Sequence, residues 1–248
     1  MSIKAMILAA GRGERMRPLT DHCPKPLLRV RGKALIDWHA EALARGGFNE
    51  LVINTAWLGP QISSHFDLQP NQHGANKLSI SYSHEGADFG GALETAGGIA
   101  RALPLLGEVF WVLAGDVFMP GFEFSEAAVS RFVAGGQLAH LWLVPNPAHN
   151  PRGDFGLGAD GLARNLAAHD KTEMPRYTYS TIGLYRRTFF DGLPELPAGN
   201  PQGVKAPLAP LLRAAMDNHR VSAELYEGPW TDVGTPARLD ELNRITES

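Results

Sequence analysis

The sequence of 248 residues predicts an α/β fold on a mixed, mostly parallel sheet, with a smaller lobe in its C-terminal part. Three observations carry that expectation. Short apolar runs at residues 5–8, 48–54, 109–113 and 138–144 have the length and composition of buried strands. Segments of helical spacing separate them, as in a sheet built from strand–helix–strand units. From Pro145 the texture changes: Pro, Gly and Asn are dense through Gly161, and the helical spacing stops.

Taken in order, the first strand at 5–8 runs into a Gly- and Arg-rich loop. Residues 34–45 carry Leu35, Ile36, Trp38, Ala42 and Leu43 as a helical stripe, and Gly46-Gly47 ends it. A strand at 48–54 follows, then a short helix at 57–66, with Trp57 read as a packing aromatic. Residues 70–77 read as a loop and 78–83 as a strand. A loop at 86–92 leads into a helix at 94–106. The fully apolar run at 109–113 belongs at the centre of the sheet. Ser125 caps a helix at 125–133, which Gly135-Gly136 ends. Beyond the strand at 138–144, residues 155–157 and 162–166 suit a hairpin around Asp160-Gly161. A strand at 177–186, a loop at 194–205, a helix at 208–216, a strand at 221–226 and a Pro-initiated helix at 236–245 complete the chain. No internal repeat is present.

Composition narrows the function classes. Hydrophobic content of 44% and charged content of 20% are those of a soluble globular protein. With 23 basic and 26 acidic residues the net charge is −3, so no global field draws the chain to nucleic acid or to an anionic membrane. Any anion site must be local. A single cysteine, Cys23, excludes an intramolecular disulfide and suits a reducing compartment. With no cationic leader and no apolar run near ~18 residues, a cytoplasmic location is expected.

The local anion site is the loop after the first strand. Gly11 and Gly13 lie among Arg12, Arg15 and Arg17, and Pro24-Lys25-Pro26 closes the segment. Successive backbone N–H groups in such a loop form a concavity for anions. Arg grips phosphate with a planar fork, and Lys acts as a movable point charge. Two glycines alone also suit an ordinary basic surface turn. The spacing is neither a dinucleotide fingerprint, because Met16 stands where the third Gly belongs, nor a Walker A loop. Asp116 ends the apolar run 109–113 after Gly115, where open α/β sheets bind ligands, although an Asp that merely starts a turn reads the same way. Asp232 sits in Trp230-Thr231-Asp232-Val233-Gly234-Thr235, at a strand end or tight turn. Two separated carboxylates beside ligand phosphates suit Mg²⁺, which takes few protein ligands and keeps its waters. No Ser/His/Asp arrangement and no His/Cys metal cluster is visible among the nine histidines.

The full pattern, Leu8-Ala9-Ala10-Gly11-Arg12-Gly13-Glu14-Arg15-Met16-Arg17-Pro18-Leu19-Thr20 with Pro24-Lys25-Pro26, resembles the signature of the sugar-1-phosphate nucleotidyltransferases. The resemblance covers nearly the whole chain and is weakest between residues 145 and 205. It implies one Rossmann-like domain of the nucleotide-diphospho-sugar transferase type over residues 1–248, with a nucleotide lobe at 1–144 and an acceptor lobe at 145–248. It implies Arg15, Lys25 and Asp116 as catalytic residues, and Asp116 with Asp232 as ligands of Mg²⁺. Leu8, Ala9, Ala10, Gly11, Gly13, Asn54, Glu85, Gly86, Thr95 and Gly97 are then nucleotide-binding.

Asp154, Gly156, Ser180, Thr181 and Lys205 are implied on the acceptor side. The usual Glu-Lys-Pro segment is missing, so Lys171 and Lys205 both remain candidates for the acceptor phosphate. Thr95 to Gly98 suits a nucleotide pocket, and equally an ordinary helix start. Glu94, where Gly is common, and Ile53-Asn54-Thr55-Ala56-Trp57-Leu58 resemble the branch that joins UTP to N-acetylmuramate 1-phosphate in cell-wall recycling. The same chemistry on mannose or glucose 1-phosphate, transfer to a non-sugar phosphate, and a non-catalytic nucleotide-sugar-binding regulator are the alternatives.

Overall fold

Ala5, Met6 and Ile7 are fully buried in the first strand because both faces of that strand are covered. Ala5 and Ile7 pack into one apolar cluster and Met6 into another. A computed structural model describes residues 3–68, 77–166 and 174–244. In it β1 (Lys4–Leu8) is followed by the signature loop, which folds as three single 3-10 turns. A two-strand hairpin, β2 (Arg29–Val30) and β3 (Lys33–Ala34), then leads into α1 (Leu35–Arg45). Next come β4 (Glu50–Thr55), α2 (Gly59–Asp67), β5 (Ser79–His84), α3 (Glu85–Phe89) and α4 (Glu94–Ala102). β6 (Val109–Ala114), β7 (Val117–Phe118), α5 (Glu126–Ala134) and β8 (Ala139–Val144) follow. The remainder comprises β9 (Phe155–Leu157), β10 (Ala163–Arg164) and β11 (Arg176–Arg186), then α6 (Leu208–Asp217), β12 (Val221–Leu225), β13 (Thr231–Asp232) and α7 (Pro236–Arg244).

Strands β5, β4, β1 and β6 lie side by side and parallel. β11 pairs antiparallel with β6, β8 and β9, while β12 runs parallel to β8. The sheet is therefore mixed, and only β11 and β10 run against the common direction. It is continuous across residue 145, because β11 joins β6 directly.

Helices α1, α2 and α5 cover one face through Ile36, Leu43, Ile62, Phe66, Val129 and Phe132, around Trp111. Helices α4 and α6 cover the other through Ile99, Leu208, Leu212 and Met216, around Phe110 and Tyr185. This two-sided burial is why the central strands read as unbroken apolar runs. A third, smaller cluster is what positions the site. Met16 of the signature loop packs with Leu28, Val30, Leu35, Phe118, Val233, Leu239 and Leu242. It draws the loop, the β2–β3 hairpin, β7 and α7 into one unit.

Several expectations are corrected. Residues 86–92 are not all loop: α3 turns there, with Gly86 against the backbone of Ala56. The helix expected over 94–106 ends at Ala102, and a 3-10 turn containing Pro104 replaces its last turn. The helix expected from Trp57 begins at Gly59, because Leu58 holds φ 50. The pairs β2–β3 and β7–β13 escaped the sequence reading, since two-residue strands leave no periodicity. Most of the loop expected at 70–77, the end of the helix expected to Ile245, and Asp170-Lys171 lie outside the described residues. Among the described residues no helix is long and apolar enough to cross a membrane.

Candidate active site

A cavity of about 600 Å³ opens where β1, β4 and β6 end, the place an open α/β sheet offers a ligand. Leu8, Ala9, Ala10, Gly11, Gly13, Arg15, Lys25, Asn54, Glu85, Thr95 and Asp116 line it. Arg12, Glu14, Met16, Pro26, Ala92, Glu94, Ala114 and Gly234 complete the lining. Gly86, Gly97, Asp154, Gly156, Ser180, Thr181, Lys205 and Asp232 are not among the lining residues.

The basic loop is not a uniform positive patch. Arg12 and Arg17 both reach Asp21, at 2.9 and 2.8 Å. The paired guanidinium of Arg12 holds the Asp21 carboxyl below the usual carboxylate range. Lys25, almost buried, puts Nζ 2.6 Å from Asp116 Oδ2. Arg15 alone of these four makes no ion pair among the described residues, and it faces the cavity. Gly13 is required twice. Its φ is 67, and a Cβ there would lie 3.0 Å from Thr20 Cγ2 and 3.2 Å from Lys25 Cβ. Gly11 has open space around it, so nothing among the described residues demands glycine there.

Asp116 and Asp232 converge through tertiary structure alone. β7 begins one residue after Asp116 and pairs with β13, setting Asp232 opposite Val117. Val233 N–H then donates to the Asp116 carbonyl at 3.1 Å. Asp232 is held by one oxygen: Arg238 Nη1 lies 2.6 Å from Oδ1, and His149 Nε2 lies 2.8 Å from the same atom. A Cβ at Gly234 would stand 3.0 Å from Asp232 Oδ2 and 3.5 Å from Arg15 Nη2. The bare Gly234 therefore leaves a gap between that oxygen and Arg15 at the cavity edge. Each of the two carboxylates has one oxygen on a protein cation, Lys25 for Asp116 and Arg238 for Asp232, and a second oxygen outside that pair, a donor set that fits a divalent ion with few protein ligands. No cluster of three or more His, Cys, Asp or Glu exists among the described residues.

Behind the cavity lies a buried polar network. Asn54 Oδ1 accepts from Ala9 N–H at 2.8 Å, and its Nδ2 donates to Glu85 Oε1 at 2.6 Å. Glu85 Oε2 accepts from Leu93 N–H at 2.8 Å. Burial pushes the Glu85 carboxyl above its ordinary range, and the Leu93 and Asn54 bonds pull it back. The start of α4 is also held from afar, because Ala96 and Gly97 N–H both donate to the Ala206 carbonyl. Gly97 thus packs on residues 204–206 rather than on the cavity, and Lys205 stands exposed on that strap beside the helix start.

The acceptor-side candidates are built into the fold. Asp154 accepts from Tyr179 N–H and from Asn150 Nδ2. Gly156 sits tight against Leu166 and Met174. Ser180 is fully buried, its Oγ accepting from Ile182 N–H. Thr181 holds φ 71 at the irregularity in β11, with Oγ1 buried and without a hydrogen-bond partner among the described residues. Sequence reasoning passed over Arg238, His149 and Gly234 as site residues. Gly234 was visible in its motif, but the other two carry no local signal.

A family model described as nucleotidyl transferase matches residues 4–248. The chain is 48% identical over 245 residues to the N-acetylmuramate alpha-1-phosphate uridylyltransferase of Neisseria meningitidis serogroup B, covering 98% of each chain. The Caulobacter vibrioides protein of the same name is 32% identical over 257 residues, covering 98% of this chain and 97% of its own. A crystal structure of a protein provisionally named a glucose-1-phosphate thymidylyltransferase, from Bacillus anthracis, superposes with a TM-score of 0.73 at 18% identity. It covers 99% of this chain and 96% of that one, and speaks to the fold alone. With the signature loop, the paired aspartates and the full-length match in agreement, the chain belongs to the nucleotidyl transferase family.

Proposed function

We propose that the chain transfers the uridylyl group of UTP to N-acetylmuramate α-1-phosphate, releasing pyrophosphate, with Mg²⁺ and in the recycling of cell-wall sugar. The observation that carries this reading is Arg15, without an ion pair among the described residues, lining the same cavity as the Lys25–Asp116 pair, with Asp232 Oδ2 across the bare Gly234. Full-length likeness to two proteins named for that reaction supports the choice of substrates. Nucleotidyl transferases generally use a divalent metal. Asp116 and Asp232 are the residues that would hold it, and when bound it would neutralise phosphate charge.

The residues then divide the work as follows. A sugar 1-phosphate is largely dianionic at neutral pH, with a second pKa of about 6, so it attacks the α-phosphorus without a protein base. The protein must align it in line with the leaving pyrophosphate and offset the charge that develops. Arg15 and Lys25 serve the triphosphate, the backbone from Gly11 to Gly13 supplies N–H donors, and Leu8, Ala9 and Ala10 form the wall at the exit of β1. Asn54 and Glu85, their polar atoms engaged with each other and with backbone N–H groups, shape the floor on which the nucleotide lies. Thr95 borders it, with Gly86 and Gly97 setting the close packing behind. Residues 145–248 form the acceptor side. There Lys205, on its strap at the start of α4, meets acceptor charge, while Asp154, Gly156, Ser180 and Thr181 give the β9–β11 surface its shape. Nucleoside triphosphates place this work in the cytoplasm.

The test is pyrophosphate release with Mg²⁺ across UTP, dTTP, GTP, CTP and ATP against N-acetylmuramate, glucose, N-acetylglucosamine and mannose 1-phosphates, with choline phosphate added. UTP with N-acetylmuramate 1-phosphate should dominate. Another sugar in first place would overturn the substrate assignment and keep the chemistry. No turnover with any pair, nucleotide still binding, would overturn both.

A further inference from the structure

We propose that Trp57 is a positioning residue for nucleotidyl transfer, clamping the signature loop through Arg12 and Thr20 so that Arg15 is the guanidinium presented to phosphate. The role in transfer rests on the function proposed above, while the clamp itself rests on geometry. The Arg12 guanidinium lies over the indole, with Cζ 3.7 Å from the ring centroid. Its Nη1 donates to the Thr20 carbonyl at 2.9 Å and its Nη2 to Asp21 Oδ1 at 2.9 Å. Trp57 Nε1 donates to the same Thr20 carbonyl, also at 2.9 Å. Both lone pairs of that oxygen are thus engaged, one by the residue that stacks and one by the residue stacked upon.

Thr20 passes the constraint on. It is fully buried, and its Oγ1 donates to the Gly13 carbonyl at 2.8 Å, fixing the left-handed turn from which Arg15 departs. Gln61 of α2 adds a second tie, Nε2 donating to the His22 carbonyl at 3.1 Å. Leu58, with φ 50, bends the chain between these two contacts. The loop that would cradle phosphate is therefore shaped against the β4–α2 connection, not by its own glycines alone. Arg12 looks like a phosphate ligand in the sequence. Here its guanidinium sits over Trp57 and both terminal nitrogens are engaged. A loop displaced by 1 Å would carry Arg15 and the Gly13 backbone out of line with the reacting phosphorus.

The experiment compares W57A, W57F, R12A and the double variant W57A/R12A by hydrogen exchange of the free protein and by UTP turnover. The amides of Met16, Arg17 and Asp21, which donate to Gly13, Glu14 and Pro18 carbonyls, report the loop directly. In W57A and R12A they should exchange about tenfold faster, with the amides of β1 and β6 unchanged. W57A should lose about 100-fold in kcat with KM for the sugar 1-phosphate within twofold. W57F, which keeps a ring for the guanidinium, should recover much of that loss. The double variant should be no worse than the poorer single one, because both remove one unit. Unchanged exchange at those three amides overturns the clamp, whatever the turnover. Looser amides with unchanged kcat, or single losses that multiply in the double variant, overturn the positioning role. Should the wild-type protein turn over no substrate pair, the function reading fails and the exchange data still decide the clamp. If W57A does not fold, R12A, a partly exposed side chain, carries the same comparison.

Discussion

Asn54 Nδ2 donates to Glu85 Oε1 at 2.6 Å beneath the cavity, and the amide oxygen of the one and the second carboxylate oxygen of the other each accept from a backbone N–H of a different element. Ala9, at the exit of β1, hangs on Asn54, and Leu93, before α4, hangs on Glu85. Two side chains thus set the spacing between the phosphate loop and the helix start across the floor of the site. Replacing Asn54 by Ala leaves the Ala9 N–H and one Glu85 oxygen buried without partners. That should cost about 2 kcal/mol of unfolding free energy, read by urea denaturation. A loss under about 0.5 kcal/mol would mean that the two groups find water or other partners.

Gly98 in α4 should reverse the usual helix rule. Ala in place of Gly inside a helix ordinarily gains about 1 kcal/mol. A Cβ at Gly98, however, would lie 2.6 Å from Glu85 Oε1 and 2.9 Å from Asn54 Nδ2, atoms pinned by their own hydrogen bonds. Gly98→Ala should therefore destabilise by about 1–3 kcal/mol. A higher melting temperature would show that the network yields.

Lys25 is nearly buried and its ammonium meets Asp116, so removing it affects charge at the site more than packing elsewhere. Lys25→Ala should lower kcat by about 10²–10³-fold while nucleotide binding weakens far less. Equal losses in both would assign Lys25 to ground-state binding.

Much of this was legible beforehand, for identifiable reasons. The run from Leu8 to Lys25 and the Asp after β6 are local patterns, so the loop and its place at strand ends could be read directly. The division of labour among the arginines could not. Which of Arg12, Arg15 and Arg17 is free depends on Asp21 and on Trp57, which arrives from another connection and reads in isolation as a packing aromatic. The meeting of Asp116 with Asp232 depends on the two-residue pair β7–β13, below the resolution of any hydrophobic period. On the acceptor side, Asp154 and Ser180 were named from motif alone, and their hydrogen bonds run inward.

His39 makes stability depend on pH. It is wholly buried, and its Nε2–H donates to the Val117 carbonyl at 2.7 Å, one residue from Asp116. Burial lowers its pKa from 6.5 to about 4. Between those values the unfolded chain binds a proton that the folded chain refuses, so stability falls as the pH drops from 6.5 toward 4. The contribution is on the order of 3 kcal/mol across that window. His39→Gln should flatten this part of the curve in denaturation series at successive pH values. An unchanged slope would place the acid sensitivity elsewhere.

The measurement that bears most directly on the central claim follows phosphorus label through one turnover. UTP labelled at the α or the γ position is mixed with N-acetylmuramate α-1-phosphate and Mg²⁺. The account expects α label in a uridine diphosphate sugar and γ label in pyrophosphate, with both products lost when the metal is chelated. Label from the γ position in inorganic phosphate or on the sugar, or α label ending in UMP with no sugar attached, would contradict it.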